Sequence, residues 1–139
     1  MFGVVAVTNA FLPALKRSAH PRIVNISSGT ASLAASAGQA EGIIAFANRP
    51  TGAMGAYRSS KTALNELTVL YANALADDGF KVNALAPGIR RTDLNGPART
   101  SSSAGDPAEG AAGAVRLALL PDDGPNGGFF SWDGSAVPW

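Results

Sequence analysis

Segments typical of strands and of helices alternate along this chain, and the alternation restricts the folds that it can adopt. Short runs rich in β-branched and apolar residues predict strands at residues 22–27, 80–86 and 128–132, and a segment with helical character precedes each of them. A helix between two consecutive strands acts as a right-handed crossover, which makes the strands parallel. The pattern therefore predicts an α/β fold with three parallel strands and flanking helices.

The first two predicted helices differ in how clearly their ends are marked. Residues 1–16 lack a capping residue at the start, and Pro13 predicts a bend or a solvated face. The helix over residues 57–76 is the clearest, because Gly79 follows it as a stop. The apolar residues at helical spacing are Val4, Val7, Phe11 and Leu15 in the first helix and Leu64, Leu67, Tyr71, Ala74 and Leu75 in the second.

The third predicted helix, over residues 106–120, has a well-defined start. Asp106 is the expected N-cap, Pro107 occupies the first helical position, and Glu109 supplies the carboxylate of a capping box. Residues 28–55, in contrast, are rich in small residues and predict a long loop that contains a helical turn.

Composition excludes several classes of protein. The 139 residues suit one domain, and 46% hydrophobic against 15% charged residues are too apolar for a disordered chain. A net charge of +1 provides no field that would hold nucleic acid, and no apolar run is long enough to span a membrane. The absence of cysteine and the single histidine argue against a disulfide scaffold and a metal site. We expect a cytoplasmic domain that binds neither nucleic acid nor membranes.

Tyr57 and Lys61 are four residues apart on the second predicted helix, so their side chains lie on one face about one turn apart. An ammonium at that distance favours the phenolate form of a tyrosine, and such a tyrosine can exchange a proton with an alcohol or carbonyl oxygen. On spacing alone, an exposed pair with no chemical role is the commoner case.

Polar and turn-forming residues follow the first two predicted strands. Ser27 and Ser28 end the first strand, and Pro87 and Gly88 close the second, with Thr92 four residues beyond Gly88. Open α/β sheets bind ligands at the carboxyl ends of their strands. Each feature alone is typical of an ordinary turn, but together with the tyrosine and lysine they indicate a site at one edge of the sheet.

These motifs carry a resemblance to a known family. The segments V-N-I-S-S at 24–28, Y-R-S-S-K at 57–61 and V-N-A-L-A-P-G-I-R-R-T at 82–92 resemble, in this order, the short-chain dehydrogenases/reductases. The likeness extends from Val4 to Trp139, and the closing G-G-F-F-S-W-D-G-S-A-V-P-W is most similar to the carbonyl-reductase type. The resemblance implies an NAD(P)-dependent oxidoreductase that transfers a hydride between a nicotinamide cofactor and a small carbonyl or alcohol substrate.

The resemblance also implies roles for individual residues. Ser28 would hold and polarise the substrate oxygen, Tyr57 would be the general acid in reduction and the general base in oxidation, and Lys61 would stabilise the Tyr57 phenolate. Lys61 would also hydrogen-bond the ribose of the cofactor, next to Tyr57. Asn25 and Asn83 fit the family pattern as residues that hold strands and loops, without a catalytic role.

The implied cofactor is NADP, with NAD not excluded. The contacts with its nicotinamide end would come from Pro87, Gly88, Ile89 and Thr92. Residues 90–105, which would shape the substrate pocket, contain no side chain that identifies the substrate.

One part of the family pattern has no counterpart in the sequence. The family begins with a strand, a glycine-rich turn and a helix that bind the pyrophosphate, and its catalytic asparagine would fall just ahead of Met1. The chain thus resembles the C-terminal part of a Rossmann-like, doubly wound parallel sheet, as a single partial domain over residues 1–139. We expect an exposed sheet edge, self-association through it, and little activity of this chain alone. The alternative is a non-catalytic remnant or an interaction module.

Other readings of the polar and aromatic residues are weaker. A serine hydrolase would need Ser28 on a glycine-flanked turn with a histidine partner, but Ile26 occupies the glycine position and His20 lies at the other end of the strand. His20 is interpreted as a solvated loop residue. Trp132 and Trp139 are interpreted as packing residues of the C-terminal tail, with the lining of a substrate pocket as the alternative.

Overall fold

The computed structural model describes residues 2–40, 54–94 and 104–139. In chain order, its elements are α1 (Phe2–Leu15), β1 (Arg22–Ile26), a 3-10 turn (Gly29–Ala31), α2 (Leu33–Ser36), α3 (Gly55–Ala74), β2 (Lys81–Ala86), α4 (Pro107–Ala118) and β3 (Phe129–Ser131). The predicted alternation of helices and strands is confirmed. The predicted loop after β1 contains the 3-10 turn and α2, while its residues 41–53 lie outside the described part of the chain.

The three strands form one parallel sheet in the order β1-β2-β3. β1 pairs with β2 along its whole length, from Arg22 opposite Lys81 to Ile26 opposite Leu85. β3 pairs with the last three residues of β2, beginning with Ala84 opposite Phe129. The prediction of three parallel strands is confirmed, and the strand ends lie within one residue of the expected positions.

β2 is the buried centre of the sheet, and its alternating side chains face two different layers. Val82 packs on one face in a cluster with Ala72, Leu75 and Phe80. The partly buried side chains that complete this cluster come from α1, β1 and α3: Leu12, Leu15, Ile23 and Tyr71. On the other face, α4 approaches Leu85 closely, because a Cβ on Gly113 would lie 3.2 Å from the Leu85 Cδ1 atom. The sheet is thus covered on both faces.

The residues of α1 at helical spacing do not form one buried face. Leu15 packs against the core cluster, but Val7 and Phe11 are 60% and 59% exposed. Thr8, in contrast, is buried, and Leu12 also packs against the cluster. Periodicity does not identify the inward face, because α1 is apolar on nearly all sides. Pro13 is exposed, which agrees with the predicted solvated face.

β1 is only partly buried. Asn25 is buried, but the other residues of this strand are half-buried or exposed, and Ile26 is 45% exposed. The reason is its position, because among the described residues β1 has a paired neighbour on one side only. A β-branched run cannot distinguish a central strand from such an edge strand.

The buried face of α3 also differs from the predicted apolar stripe. It contains Leu64 as expected, but Ala74 is exposed, and two polar residues, Asn65 and Thr68, are buried beside Leu64. Hydropathy gives no reason to turn Asn65 or Thr68 inward. The turn that follows the helix contains Gly79 at φ +75°, the left-handed conformation expected of a glycine stop.

α4 begins with the predicted capping box. The Asp106 carboxylate accepts a hydrogen bond from the Ala108 amide, and the Asp106 amide donates to Glu109 Oε2 at 3.2 Å. Glu109 also accepts a hydrogen bond from Arg90, whose side chain is buried. The Arg90 guanidinium lies 4.4 Å from the Trp132 ring centroid, so this one buried charge joins α4 to the segments after β2 and β3.

The C-terminal tail is packed rather than loose. Phe130 forms an antiparallel bridge with Ala136, and Val137 is buried in a cluster with Phe129. The Trp139 ring stacks on Phe129 with centroids 5.3 Å apart, and its carbonyl accepts a hydrogen bond from the Ala34 amide. The interpretation of Trp139 as a packing residue agrees with this geometry.

We expect Glu109→Ala to lower the free energy of unfolding by about 2 kcal/mol, because it removes the partner of the buried Arg90 charge together with one bond of the capping box. Asp106→Ala is the control: it removes the cap of the same helix, together with an exposed ion pair to Arg91 that contributes little, and should lower the free energy of unfolding by about 1 kcal/mol. Urea unfolding measures both values. Equal losses in the two variants would show that the pairing with Arg90 adds nothing to stability.

Candidate functional site

The carboxyl ends of β1 and β2 lie side by side and position the candidate residues. β1 ends at Ile26, and the pairing continues one step further, because the Ser27 amide donates to the Leu85 carbonyl at 2.7 Å. Ser28 therefore begins the loop at this edge, and Pro87 begins the loop after the neighbouring strand. The parallel sheet brings both loop starts to one edge, as ligand binding in an open sheet requires.

Tyr57 and Lys61 share one face of α3, and the lysine reaches β1. The Lys61 ammonium donates a hydrogen bond to the Ile26 carbonyl at 2.8 Å, and it lies 5.9 Å from the centroid of the Tyr57 ring. Tyr57 itself is 42% exposed. The structure thus brings the phenol, the ammonium and the end of β1 together. Partial burial of Lys61 lowers the pKa of its ammonium below the ordinary value.

Ser28 caps the 3-10 turn that follows β1. Its hydroxyl shares a hydrogen bond with the Thr30 hydroxyl at 2.9 Å and accepts one from the Thr30 amide at 3.3 Å. The local role of Ser28 in this structure is therefore that of a turn cap. Its role toward a substrate oxygen stays a prediction.

Ser27 points away from Ser28, into the interface between β1 and α3. Its hydroxyl donates to Asn65 Oδ1 at 2.5 Å and lies 3.4 Å from the Lys61 carbonyl. One turn along, Asn25 Nδ2 donates to the Thr68 hydroxyl at 2.9 Å. Sequence reasoning missed Asn65 and Thr68, because a polar residue on a helix gives no signal of burial. Asn25 holds the strand to the helix, as the family pattern implies.

The segment from Pro87 to Thr92 is shaped by Arg90. The Arg90 side chain donates to the Pro87 carbonyl at 2.5 Å, and the Thr92 amide donates to the Arg90 carbonyl at 2.8 Å. Gly88 has φ +73°, and a Cβ at this position would lie 3.1 Å from both the Arg90 guanidinium and the Trp132 ring. Glycine is therefore required here for conformation and for space. The Ile89 carbonyl accepts a hydrogen bond from the Gly105 amide.

This segment places Pro87 and Gly88 directly after β2, at the same sheet edge as Lys61 and Ser28. Ile89 and Thr92 follow within the same turn region, whereas residues 95–103 of the predicted substrate loop lie outside the described part of the chain. The cofactor contacts of these four residues stay predictions. The sequence did not single out Arg90, although its burial determines the shape of the segment.

Other candidate residues lie away from this edge. His20 is exposed and pairs with Asp122 at 2.9 Å, so it gives Ser28 no catalytic partner. Asn83 holds the loop before β3, through bonds to the Pro125 carbonyl and the Gly128 amide. A groove beside α3 contains neither Tyr57 nor Lys61; it is lined by Thr30, Leu33, Ser36, Arg58, Thr62 and Glu66 among others.

Two further findings concern the described ranges 2–40, 54–94 and 104–139. No helix in them combines the length and the apolar character needed to cross a membrane. Nor do these ranges bring three or more histidine, aspartate or glutamate side chains together as a metal site.

Sequence comparisons point to one family. A family model described as short chain dehydrogenase matches residues 44–103. The chain is 36% identical to C-signal of Myxococcus xanthus over 99% of its own length and 72% of that relative. It is also 33% identical to salutaridine reductase of Papaver somniferum, over 92% of this chain and 48% of the relative. The chain therefore spans about half the length of the reductase.

Solved structures agree with this result. The NADPH-bound carbonyl reductase from chicken fatty liver superposes with a TM-score of 0.78 at 29% identity, over 97% of this chain and 52% of that one. Salutaridine reductase superposes with a TM-score of 0.69 at 33% identity, over 93% of this chain and 51% of that one. The three-stranded parallel sheet with its flanking helices is thus part of a Rossmann-like fold, and the chain belongs to the short-chain dehydrogenase family.

Proposed function

We propose that this chain carries the proton-transfer residues and the nicotinamide-side contacts of an NAD(P)-dependent oxidoreductase that interconverts a carbonyl and an alcohol. One observation supports the proposal above the others: the Lys61 ammonium lies against the Tyr57 ring and is fixed to the Ile26 carbonyl at the carboxyl end of β1. A phenol and an ammonium in this arrangement, next to a serine-containing loop, can deliver a proton to a bound oxygen.

The fit of the described residues to a nicotinamide cofactor is partial. Lys61 offers a donor at the sheet edge, and the Tyr57 phenol is exposed beside it. Among the described residues, no strand is followed by a glycine-rich turn and a long helix of the kind that binds a pyrophosphate. The proposal is therefore confined to the nicotinamide and ribose end, held by Tyr57, Lys61 and the segment from Pro87 to Thr92.

Each residue has a defined part in the proposed chemistry. In reduction, the Tyr57 phenol transfers its proton to the carbonyl oxygen, while the Ser28 hydroxyl donates a hydrogen bond to the same oxygen. The Lys61 ammonium stabilises the phenolate that remains and donates to a ribose hydroxyl. When bound, the nicotinamide supplies the hydride in reduction and accepts it in oxidation. In oxidation, the Tyr57 phenolate takes the proton from the alcohol.

Two features of the relatives indicate which cofactor and which class of substrate to propose. The solved carbonyl reductase from chicken fatty liver is NADPH-bound, which favours NADP as the cofactor of this chain, with NAD as the alternative. Several curated relatives are reductases of small organic molecules by their names, such as salutaridine reductase and (-)-isopiperitenone reductase. A small carbonyl or alcohol substrate is proposed on that basis.

A second candidate is a non-catalytic module that binds through the sheet edge. It is favoured by β1, which pairs on one side only among the described residues and leaves Ile26 exposed. Self-association of this chain would use the same edge. The binding of NADPH distinguishes the two candidate functions, because a module that acts only through its sheet edge is not expected to bind the cofactor.

We expect NADPH to quench the fluorescence of Trp132 with saturation, because this ring lies against Gly88 in the proposed cofactor segment. The chain has two tryptophans, so Trp139→Phe leaves Trp132 as the only residue that selective tryptophan excitation reports. Lys61→Met should weaken the affinity about tenfold, the effect of one lost charged hydrogen bond. Lys16→Met, which removes an exposed lysine paired with Asp78, is the control and should not change it. Unsaturable or absent quenching would favour the non-catalytic module.

We expect Tyr57→Phe to reduce NADPH-dependent reduction of a carbonyl probe such as 4-nitrobenzaldehyde by at least about 10²-fold, because the proton donor is lost. The chain has two tyrosines, and Tyr71→Phe is the matched control, since the Tyr71 hydroxyl donates to Asn9 on α1 instead. Turnover of the chain alone should be slow, because misplacement of reacting groups by about 1 Å can cost about 10²-fold in rate. Equal rates in the two variants would contradict the role of Tyr57.

We expect the stability difference between the wild type and Lys61→Met to change with pH. Burial lowers the pKa of Lys61 in the native state, so below that pKa the cost of the buried charge is fully present. Between the lowered and the ordinary pKa, the native state binds fewer protons than the unfolded chain, and the wild type gains stability as the pH rises. Urea unfolding across the alkaline range should show this gain only when Lys61 is present. A difference that stays constant with pH would contradict the burial effect.

A further inference from the structure

Polar side chains fill the part of the β1–α3 interface that lies next to the candidate site. Asn25, Ser27, Asn65 and Thr68 are all at least nine-tenths buried, with exposed fractions of 7%, 3%, 4% and 0%. They pair as Asn25 with Thr68 and Ser27 with Asn65. Apolar residues would bury the same surface without the desolvation penalty of polar groups. The polar side chains at these four positions therefore contribute something other than the burial of surface.

Hydrogen bonds fix positions that apolar contacts leave free. An apolar interface tolerates small shifts of a helix along a strand, whereas a hydrogen bond requires its donor and acceptor at one distance and angle. Tyr57, Lys61, Asn65 and Thr68 follow one another at intervals of four, four and three residues, so they lie on one stripe of α3. A bond at Asn65 thus constrains the rotation of the stripe that carries Tyr57 and Lys61.

The Ser27–Asn65 bond joins the two halves of the candidate site. Ser27 immediately precedes Ser28, and Asn65 is one helical turn beyond Lys61. The Ser27 hydroxyl also lies 3.4 Å from the Lys61 carbonyl, so it touches the backbone of the lysine itself. Any slip of α3 along β1 would move the lysine and the tyrosine relative to Ser28.

The Asn65 amide is not arranged for maximal stability. Its oxygen accepts the Ser27 proton, but its Nδ2 group is buried and has no hydrogen-bond partner within the described part of the chain. A buried donor without a partner is destabilising, whereas replacing both partners of a hydrogen bond by apolar groups of similar shape can be nearly neutral. The pair can therefore be removed with little loss of stability.

We propose that Ser27 and Asn65 are positioning residues, which hold Tyr57 and Lys61 in register with Ser28 through the hydrogen bond between β1 and α3. The inference rests on the proposed function, because it assigns these residues to the same site. Neither residue touches the reacting atoms. Their effect is transmitted through the backbone of Lys61 and through the start of the loop at Ser28.

The test uses the full chain labelled with fluorotyrosine, in a Tyr71→Phe background that leaves Tyr57 as the only labelled residue. Lys61→Met calibrates the experiment, because loss of the ammonium near the ring should shift the Tyr57 fluorine resonance. We expect Ser27→Ala/Asn65→Leu to shift the resonance in the same direction, while cooperative unfolding in urea is retained. Asn65 is eight residues from Tyr57, about 12 Å along the helix, so the substituted side chain does not itself reach the ring.

Asn25→Leu/Thr68→Val is the matched control. It also replaces an asparagine by leucine and a hydroxyl residue by its apolar counterpart, between the same two elements but further from Tyr57. This control should leave the resonance unchanged. If Ser27→Ala/Asn65→Leu does not fold, Ser27→Ala alone removes the same hydrogen bond with the smallest change of volume and takes its place in the comparison.

Kinetics give a second readout. In the carbonyl-reduction assay, Ser27→Ala/Asn65→Leu should lower kcat by about 10²-fold with little change in KM for the carbonyl, as misplaced catalytic groups do. A resonance that shifts in Lys61→Met but not in Ser27→Ala/Asn65→Leu would overturn the positioning role and leave the proposed function intact. A resonance that shifts equally in the matched control would also overturn it. Failure of the proposed function shows instead as equal turnover in Tyr57→Phe and Tyr71→Phe.

Discussion

The hydrogen-bonded contact between β1 and α3 is the constraint on which the candidate site depends. Lys61 reaches the Ile26 carbonyl, and Ser27 and Asn25 bind the next two turns of the same helix face. The two attachments nearest the site, at Lys61 and Asn65, fix the part of α3 that carries Tyr57, whereas a single contact would allow the helix to rotate about it; the Asn25–Thr68 bond lies further from Tyr57. Because α3 also carries Tyr57, the end of β1 and the phenol are held as one unit.

A buried charge has the same effect on the other side of the site. The Arg90 guanidinium binds the Pro87 carbonyl and Glu109 and lies over Trp132, so the loop after β2 is attached to α4 and to the tail. Apolar burial is present at both ends of β2, with one cluster around Phe80 at its start and another in which Ala84 and Ala86 pack with Phe129 and Val137. The directional polar contacts of Arg90 are added to the second cluster, at the carboxyl end of the sheet.

What the sequence could predict is what local patterns determine. Parallel strands, the glycine stop at Gly79 and the capping box at Asp106 depend on local patterns, and all three are present in the structure. The exposed side of α1 and the burial of Asn65 depend on which residues pack around them in the fold. The hydropathy of the sequence does not indicate these neighbours. The same holds for Arg90, because a charged residue in a polar segment is ordinarily solvated. The residues that shape the site were thus harder to predict than those that shape the fold.

β1 combines two properties that act against each other. It supplies the carbonyl that holds Lys61, yet it is paired on one side only among the described residues, and Ile26 is exposed at the very position of that carbonyl. Edge strands with little apolar burial open at lower free energy than central ones. Opening β1 would also break the bonds of Asn25 and Ser27 to α3, so the strand and the helix would lose their alignment together. The geometry of the site is therefore set by the local stability of β1 and α3 together, and not by the apolar cluster at the other end of the sheet.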